Sequence, residues 1–288
     1  MSATAAPQKP RARDRAPAPA RTKRRGRWLG LYSKAVIAYL FLPIAVMILF
    51  GFNDPKGRFN YTFQGFTLRY YSPSELLAFP ELNEAMRHSL IVMGISALAA
   101  TTFGTLIALA LTRYRFRGRG AFNLFLFLPM ATPEITMGSA LLALFVTLNV
   151  SRGLTTIVIA HIMFSISYVV VTVKARTATL DRHLEDAAAD LGADPWTTFR
   201  TVTFPLIRPA ILAGALLAAV LSFDDYVITL FNKGAVDTVP TWIAGATRIG
   251  VPVQVNVLGT LVFMVGVVYV VINLIRTRGE GTPAIAPR

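Results

Sequence analysis

Apolar residues gather into six long stretches, at 28–52, 89–111, 121–148, 154–173, 210–231 and 253–275, separated by short polar segments. A helix that crosses roughly 30 Å of hydrocarbon needs about 20 such residues, so the pattern predicts six membrane spans. Pro43 is expected to kink the first, and Pro129 with Pro133, four residues apart, to break the third. One polar connection differs from the rest. From Asp181 to Pro209 the chain reads DRHLEDAAADLGADPWTTFRTVTFPLIRP. Leu180, Leu184, Ala187, Ala188 and Leu191 recur at three- and four-residue steps, while Asp181, Arg182, Glu185, Asp186 and Asp190 fill the other side. That spacing is the mark of an amphipathic helix. Gly192 supplies its stop, and Asp194 followed by Pro195 is a cap with proline at the first helical position. A second short helix running toward Pro205 is therefore expected, giving a helix-turn-helix outside the membrane core.

Composition agrees with a membrane protein: of 288 residues, 54% are hydrophobic. With no cysteine, neither a disulfide framework nor a thiolate metal site is available. The net charge of +14 gains meaning from its distribution. Of 29 Lys and Arg, 22 lie in the N-terminal stretch through Lys34, the 112–120 loop, the 174–209 segment and the C-terminal stretch. The intervening loops hold seven. The positive-inside rule then places both termini and the hairpin in the cytoplasm. Residues 1–27, with nine basic residues and one acid, are expected to form an unstructured basic tail, and 277–288 a short cytoplasmic one. The span beginning at Trp28 is longer than a signal-peptide core and is expected to be retained. With the arginines assigned to membrane edges and lipid headgroups, no basic and aromatic platform for nucleic acid remains. No internal duplication is visible, so 28–276 is expected to be one all-helical domain.

Ionisable residues inside spans are costly and mark functional candidates. They are Glu134 in the third span and Asp224 with Asp225 in the fifth. At 1.5 Å per residue, Glu134 and Asp224 lie about 20 and 22 Å from the starts of their spans, at similar depth. Adjacent helix positions point about 100° apart, so Asp224 and Asp225 are not expected to face one cavity equally. Glu134 also suits the N-terminal dipole of a half-helix following the break. His161 has no metal-ligand partner at useful spacing, which favours a hydrogen-bonding role. The aromatic-rich 53–87 loop reads as an interfacial belt, and 240–252 as a short interfacial helix. A phosphate-cradling G-x-x-x-x-G-K-[ST] loop is missing, so the chain is not itself an ATPase. An intramembrane aspartyl protease would need catalytic aspartates on two spans, and a passive channel would leave the hairpin without a purpose.

The hairpin resembles the loop shared by permease subunits of bacterial binding-protein-dependent ABC importers, whose pattern is Glu-Ala-Ala, three residues, Gly, nine residues, Ile-x-Leu-Pro. Asp186, Ala187, Ala188 and Gly192 match it, followed by Val202, Phe204 and Pro205. Asp186 stands for the Glu, and Glu185 lies one residue early. Ser222-Phe223-Asp224-Asp225-Tyr226, Pro129 with Pro133-Glu134-Ile135, and Pro240, Trp242-Ile243, Arg248, Gly250, Pro252, Asn256 and Thr260 are similar to the spermidine/putrescine-type permeases. Phe41-Leu42-Pro43-Ile44 with Phe52-Asn53 also fits, whereas His88-Ser89-Leu90 departs from that group's Asn-Ser-Leu. The resemblance covers roughly Leu40 to Ile275 and implies a bacterial inner-membrane importer subunit. Its partners would be a second permease, two copies of an ATPase that uses ATP and Mg, and an extracytoplasmic substrate-binding protein. It further implies that Glu185, Asp186, Ala187, Ala188, Gly192 and Pro205 couple to the ATPase. Glu134, Asp224, Asp225 and Tyr226 are the candidates for the path of a polycation such as spermidine or putrescine, with other small solutes as the alternative.

Overall fold

The computed structural model describes residues 23–76 and 78–279. Among them the chain is almost entirely helical, with one isolated antiparallel bridge between Asn53 and Phe66. In order, the helices are α1 (Lys23–Gly51), α2 (Pro73–Leu76), α3 (Pro80–Arg113), α4 (Arg119–Ala131), α5 (Glu134–Thr147) and α6 (Leu154–Ala178). They continue as α7 (His183–Asp190), α8 (Pro195–Thr198), α9 (Phe204–Asp224), α10 (Val227–Asn232), α11 (Val239–Ile249) and α12 (Val253–Gly279). The architecture is an all-α membrane fold. Five helices are long and apolar enough to span, and a sixth span is reached if α4 and α5, bent by 104°, count as one.

The centre is a three-helix contact of α3, α6 and α9. Ala100, Ala108 and Leu111 on α3, Val169, Val170 and Val173 on α6, and Ala218 on α9 are buried together. Small residues let these backbones approach where lipid offers no hydrophobic drive. A second cluster joins α5, α6 and α10 through Met137, Leu141, Phe145, Ala160, Phe164 and Ile228. A Cβ on Gly138 would stand 2.8 Å from Phe231 Cδ2, so the glycine is what lets α10 lie against α5. A third cluster packs Leu82 of α3 on Val239 of α11 and Leu258 of α12. The remaining long helix, α1, lies along α12, where Met47 meets Gly259, and most of its surface is exposed.

Apart from helix ends that run past the expected bounds, as α3 does by starting at Pro80 within the expected 53–87 loop, the elements depart from the expected ones at four places. The N-terminal part of α1 begins at Lys23, inside the stretch expected to be unstructured. Lys and Arg are good helix formers, and they extend an apolar helix already nucleated at Trp28. The rest of the basic tail, 1–22, and the end of the short C-terminal stretch, 280–288, lie outside the described residues. The second arm of the hairpin does not stop at Pro205. From Phe199 to Thr203 the helix widens into a π turn, with Phe204 N–H bonded to Phe199 O, and α8 continues through it into α9. Hydrogen bonds that reach back five residues reopen the backbone just ahead of the proline ring, so the helix passes it. The span expected at 210–231 is interrupted at Asp225–Tyr226 and resumes as α10. Finally, Pro129 lies within α4, and the third-span break falls at Thr132–Pro133 alone.

Candidate functional site

The polar hairpin forms as α7, a turn and α8. Gly192 adopts φ +85°, a conformation that L side chains rarely take. Asp194 caps α8, its carboxylate accepting from Trp196 N and Thr197 N at 3.3 Å each. A hydrogen bond from the Thr197 side chain, more than these backbone bonds, holds this carboxyl below the usual range. The two neighbouring acids of α7 part company. Glu185 turns inward, where its Oε1 accepts from Arg113 at the end of α3 and from Thr203 Oγ1, both at 2.6 Å. Asp186 has its side chain 74% exposed, with His183 Nδ1 3.8 Å away. Ala187 is exposed and Ala188 half-buried, and Pro205 is exposed at the start of α9. Two more bonds brace the hairpin: Arg182 donates to Thr112 O at 3.0 Å, and Arg176 to Leu206 O at 3.2 Å. Leu191, 90% exposed, and Trp196 stand out from it.

The membrane candidates lie at the two helix breaks. Glu134 occupies the first turn of α5 and is exposed, within electrostatic reach of Tyr168 on α6. Asp224 closes α9 and is likewise exposed. Asp225, the next residue, points the other way, with its side chain 5% exposed. Its oxygens accept from Ile228 N (3.3 Å), Thr229 N (2.7 Å) and Thr229 Oγ1 (2.8 Å), capping α10. His161 Nε2 stands 3.2 Å from it. Tyr226 is half-buried at the start of α10 and borders a cavity of about 650 Å³.

That cavity lies between the 53–79 loop, α10 and α11, with Phe59, Tyr70 and Trp242 among its aromatics. Glu75, Glu81 and Asp237 also line it, as do Arg58, Lys233 and Arg248. Two of the carboxylates are already paired, Glu75 with Arg69 at 2.6 Å and Asp237 with Lys233 at 2.7 Å. Sequence reasoning missed this cavity because its walls come from segments far apart in the chain, 55–81 and 226–254. The loop is itself folded around Asn53, whose side chain bonds Asn60 and Thr62 O and accepts from Gln64 N. Helix α11 occupies the stretch expected to be a short interfacial helix. It is anchored to α3, where Ser89 Oγ accepts from Val239 N at 2.8 Å and His88 Nδ1 lies 3.0 Å from Asp237 O.

Residues 100–278 match the family of binding-protein-dependent transport system inner membrane components. The chain belongs to that family. It is a multi-pass inner-membrane subunit of such a transport system. Among relatives, it is 38% identical over 257 residues to the spermidine/putrescine transport system permease protein PotC of Shigella flexneri, covering 88% of this chain and 96% of that one. It is 36% identical over 251 residues to the putrescine transport system permease protein PotI of Escherichia coli K12, covering 84% and 88%. In fold it is similar to a bacterial ABC transporter involved in the import of the acidic polysaccharide alginate. There the TM-score is 0.62 at 16% identity, covering 88% of this chain and 97% of that one. A second likeness is to the MetNI methionine ABC transporter in an inward-facing conformation, with TM-score 0.54 at 17% identity over 69% and 93%. These two likenesses concern the fold alone.

Proposed function

We propose that this chain forms half of the membrane pathway of a polyamine importer and transmits the work of a separate ATPase to it. The observation that carries the substrate class is the match along nearly the whole chain to permeases named for spermidine and putrescine. The exposed carboxylates support it. Glu134 and Asp224 sit at helix breaks, and anionic groups there offset part of the cost of stripping water from a polycation. Tyr226 borders the outer cavity and belongs with them. Asp225, expected on the path, has its oxygens occupied inside the chain, and we assign it to holding the break.

The hairpin is the lever. Asp186, Ala187 and Leu191 face outward for a groove on the ATPase, with Ala188 and Gly192 setting a close, fixed turn. Glu185 faces the permease, tying α7 to α3 and to the π turn, and the unbroken course from α8 through Pro205 into α9 carries motion onward. Of the three central helices, α3 is bonded to the hairpin and α9 is continuous with it, while Arg176 ties the end of α6 to the start of α9. The basic distribution puts the hairpin and both termini in the cytoplasm. Two ATPase copies using ATP and Mg, a second permease chain and an extracytoplasmic binding protein complete the assembly, in which closure of the ATPase pair alternates the access of the pathway.

The deciding experiment is ATPase stimulation in the reconstituted complex, titrated with spermidine, putrescine, and neutral and anionic solutes. Stimulation by the polyamines is expected. Stimulation by a neutral or anionic solute alone would keep the importer and overturn the substrate class.

A further inference from the structure

The α9–α10 junction holds a group for which the transport reading has no task. His161, on α6, is 2% exposed and engages both ring nitrogens within the chain. Its Nδ1 lies 2.8 Å from Ser222 Oγ on α9, and its Nε2 lies 2.9 Å from Thr229 Oγ1 on α10 and 3.2 Å from Asp225 Oδ2. One side chain from a third helix thus grips both sides of the break. A ring with hydrogen on Nε2 satisfies every member: Ser222 donates to Nδ1, Nε2–H serves the Asp225–Thr229 pair, and Thr229 Oγ1 donates to Asp225. Ser222 is itself buried, so the Ser–His–Asp order serves packing rather than nucleophilic attack.

The carboxylate of Asp225 is therefore buried and turned to partners inside the chain, whereas Asp224, its chain neighbour, is exposed. Successive residues near a helix end diverge by about 100°. Pinning one inward sets the direction of the other. We propose that His161 is a positioning residue: its clamp across the break holds Asp225 inward and thereby aims Asp224 at the solute route. This rests on the reading of Asp224 as a pathway carboxylate, and the test separates the two.

Because the chain has no cysteine, Asp224→Cys places a single thiol on it. Its reaction rate with a small cationic thiosulfonate, measured on this chain in the assembled transporter, reports exposure without reference to any solute. With His161→Leu added, labelling slows by roughly tenfold or more, and with His161→Gln, which retains an N–H donor for Asp225, it stays within about threefold. In the cysteine-free chain, His161→Leu raises the half-saturating spermidine concentration for uptake by roughly tenfold and His161→Gln largely restores it. A purely structural loss would lower the maximal rate and leave both half-saturation and the labelling rate where they were, which overturns the positioning role. Labelling that ignores His161→Leu overturns the clamp, as does a thiol at 224 that fails to react in the parent. Slowed labelling with unchanged half-saturation supports the clamp and overturns the pathway assignment of Asp224. If His161→Leu does not accumulate in the membrane, Thr229→Val carries the same test, with about threefold slower labelling expected and no change overturning the clamp.

Discussion

Two helices of this membrane domain are interrupted, by different means. Between α4 and α5 every determinant is local: Thr132 and Pro133 are extended, Thr132 N bonds Leu128 O at 2.8 Å, and Pro133 O accepts from Met137 N at 3.1 Å. Between α9 and α10 the cap on Asp225 is local, but its fourth contact is His161, from another helix. The proline break leaves its acid, Glu134, free. The polar break consumes one acid, Asp225, and leaves the next, Asp224, free. A proline imposes its geometry wherever it stands, whereas a buried carboxylate at a break is tolerable only while its partners remain.

The widest gap between the two breaks should appear on removing Asp225. Asp225→Leu strands the Ile228 and Thr229 N–H groups and the His161 ring in a buried site, and a loss of about 3–5 kcal/mol is expected. The thermal midpoint of the purified complex reads it, and a midpoint equal to the parent's would mean that the cluster holds nothing. Gly138→Val tests the same junction from the α5 side. Its Cβ would meet Phe231 Cδ2 at 2.8 Å and Ile228 Cα at 3.4 Å, so overpacking of about 1–3 kcal/mol is expected. Pro133→Ala should do far less. Its φ of −56° suits proline, so the main change is a freer unfolded chain, worth under about 1 kcal/mol. A loss as large as that of Asp225→Leu would erase the distinction between the breaks.

The same contrast governs what the residues alone could disclose. The third-span break, the αL glycine at 192 and the Asp194–Pro195 helix start were legible because each depends on its own neighbours. The fate of Asp225 was not, since His161 lies 64 positions earlier and nothing in the spacing joins them. The hairpin acids show the same limit. By resemblance Asp186 holds the family's acidic position, yet Glu185 is the side chain that ties the hairpin inward, because Arg113, 72 positions earlier, ends α3 beside it. Pro205 misled for a local reason: the usual proline stop was set aside by a π turn immediately before it, a geometry with no composition of its own.

Asp194 uses in water the device that Asp225 uses in the membrane, and its dependence on pH offers the finest comparison. Both carboxylates accept backbone N–H groups at a helix start, but Asp194 is exposed and has no histidine partner in its cap. Its bonds to Thr197 and Trp196 depress its pKa, so the ionised cap stabilises the folded hairpin at neutral pH. That contribution is complete above the ordinary carboxylate value and is lost as the pH falls through the depressed one. Hydrogen-exchange protection of the Trp196 and Thr197 amides, corrected for intrinsic rates, should decline over that acid range. In Asp194→Asn, whose amide oxygen still caps but does not titrate, the decline should vanish. Equal pH dependence in both proteins would mean that the carboxylate charge contributes nothing at an exposed helix start, leaving charged caps useful to this chain only where they are buried.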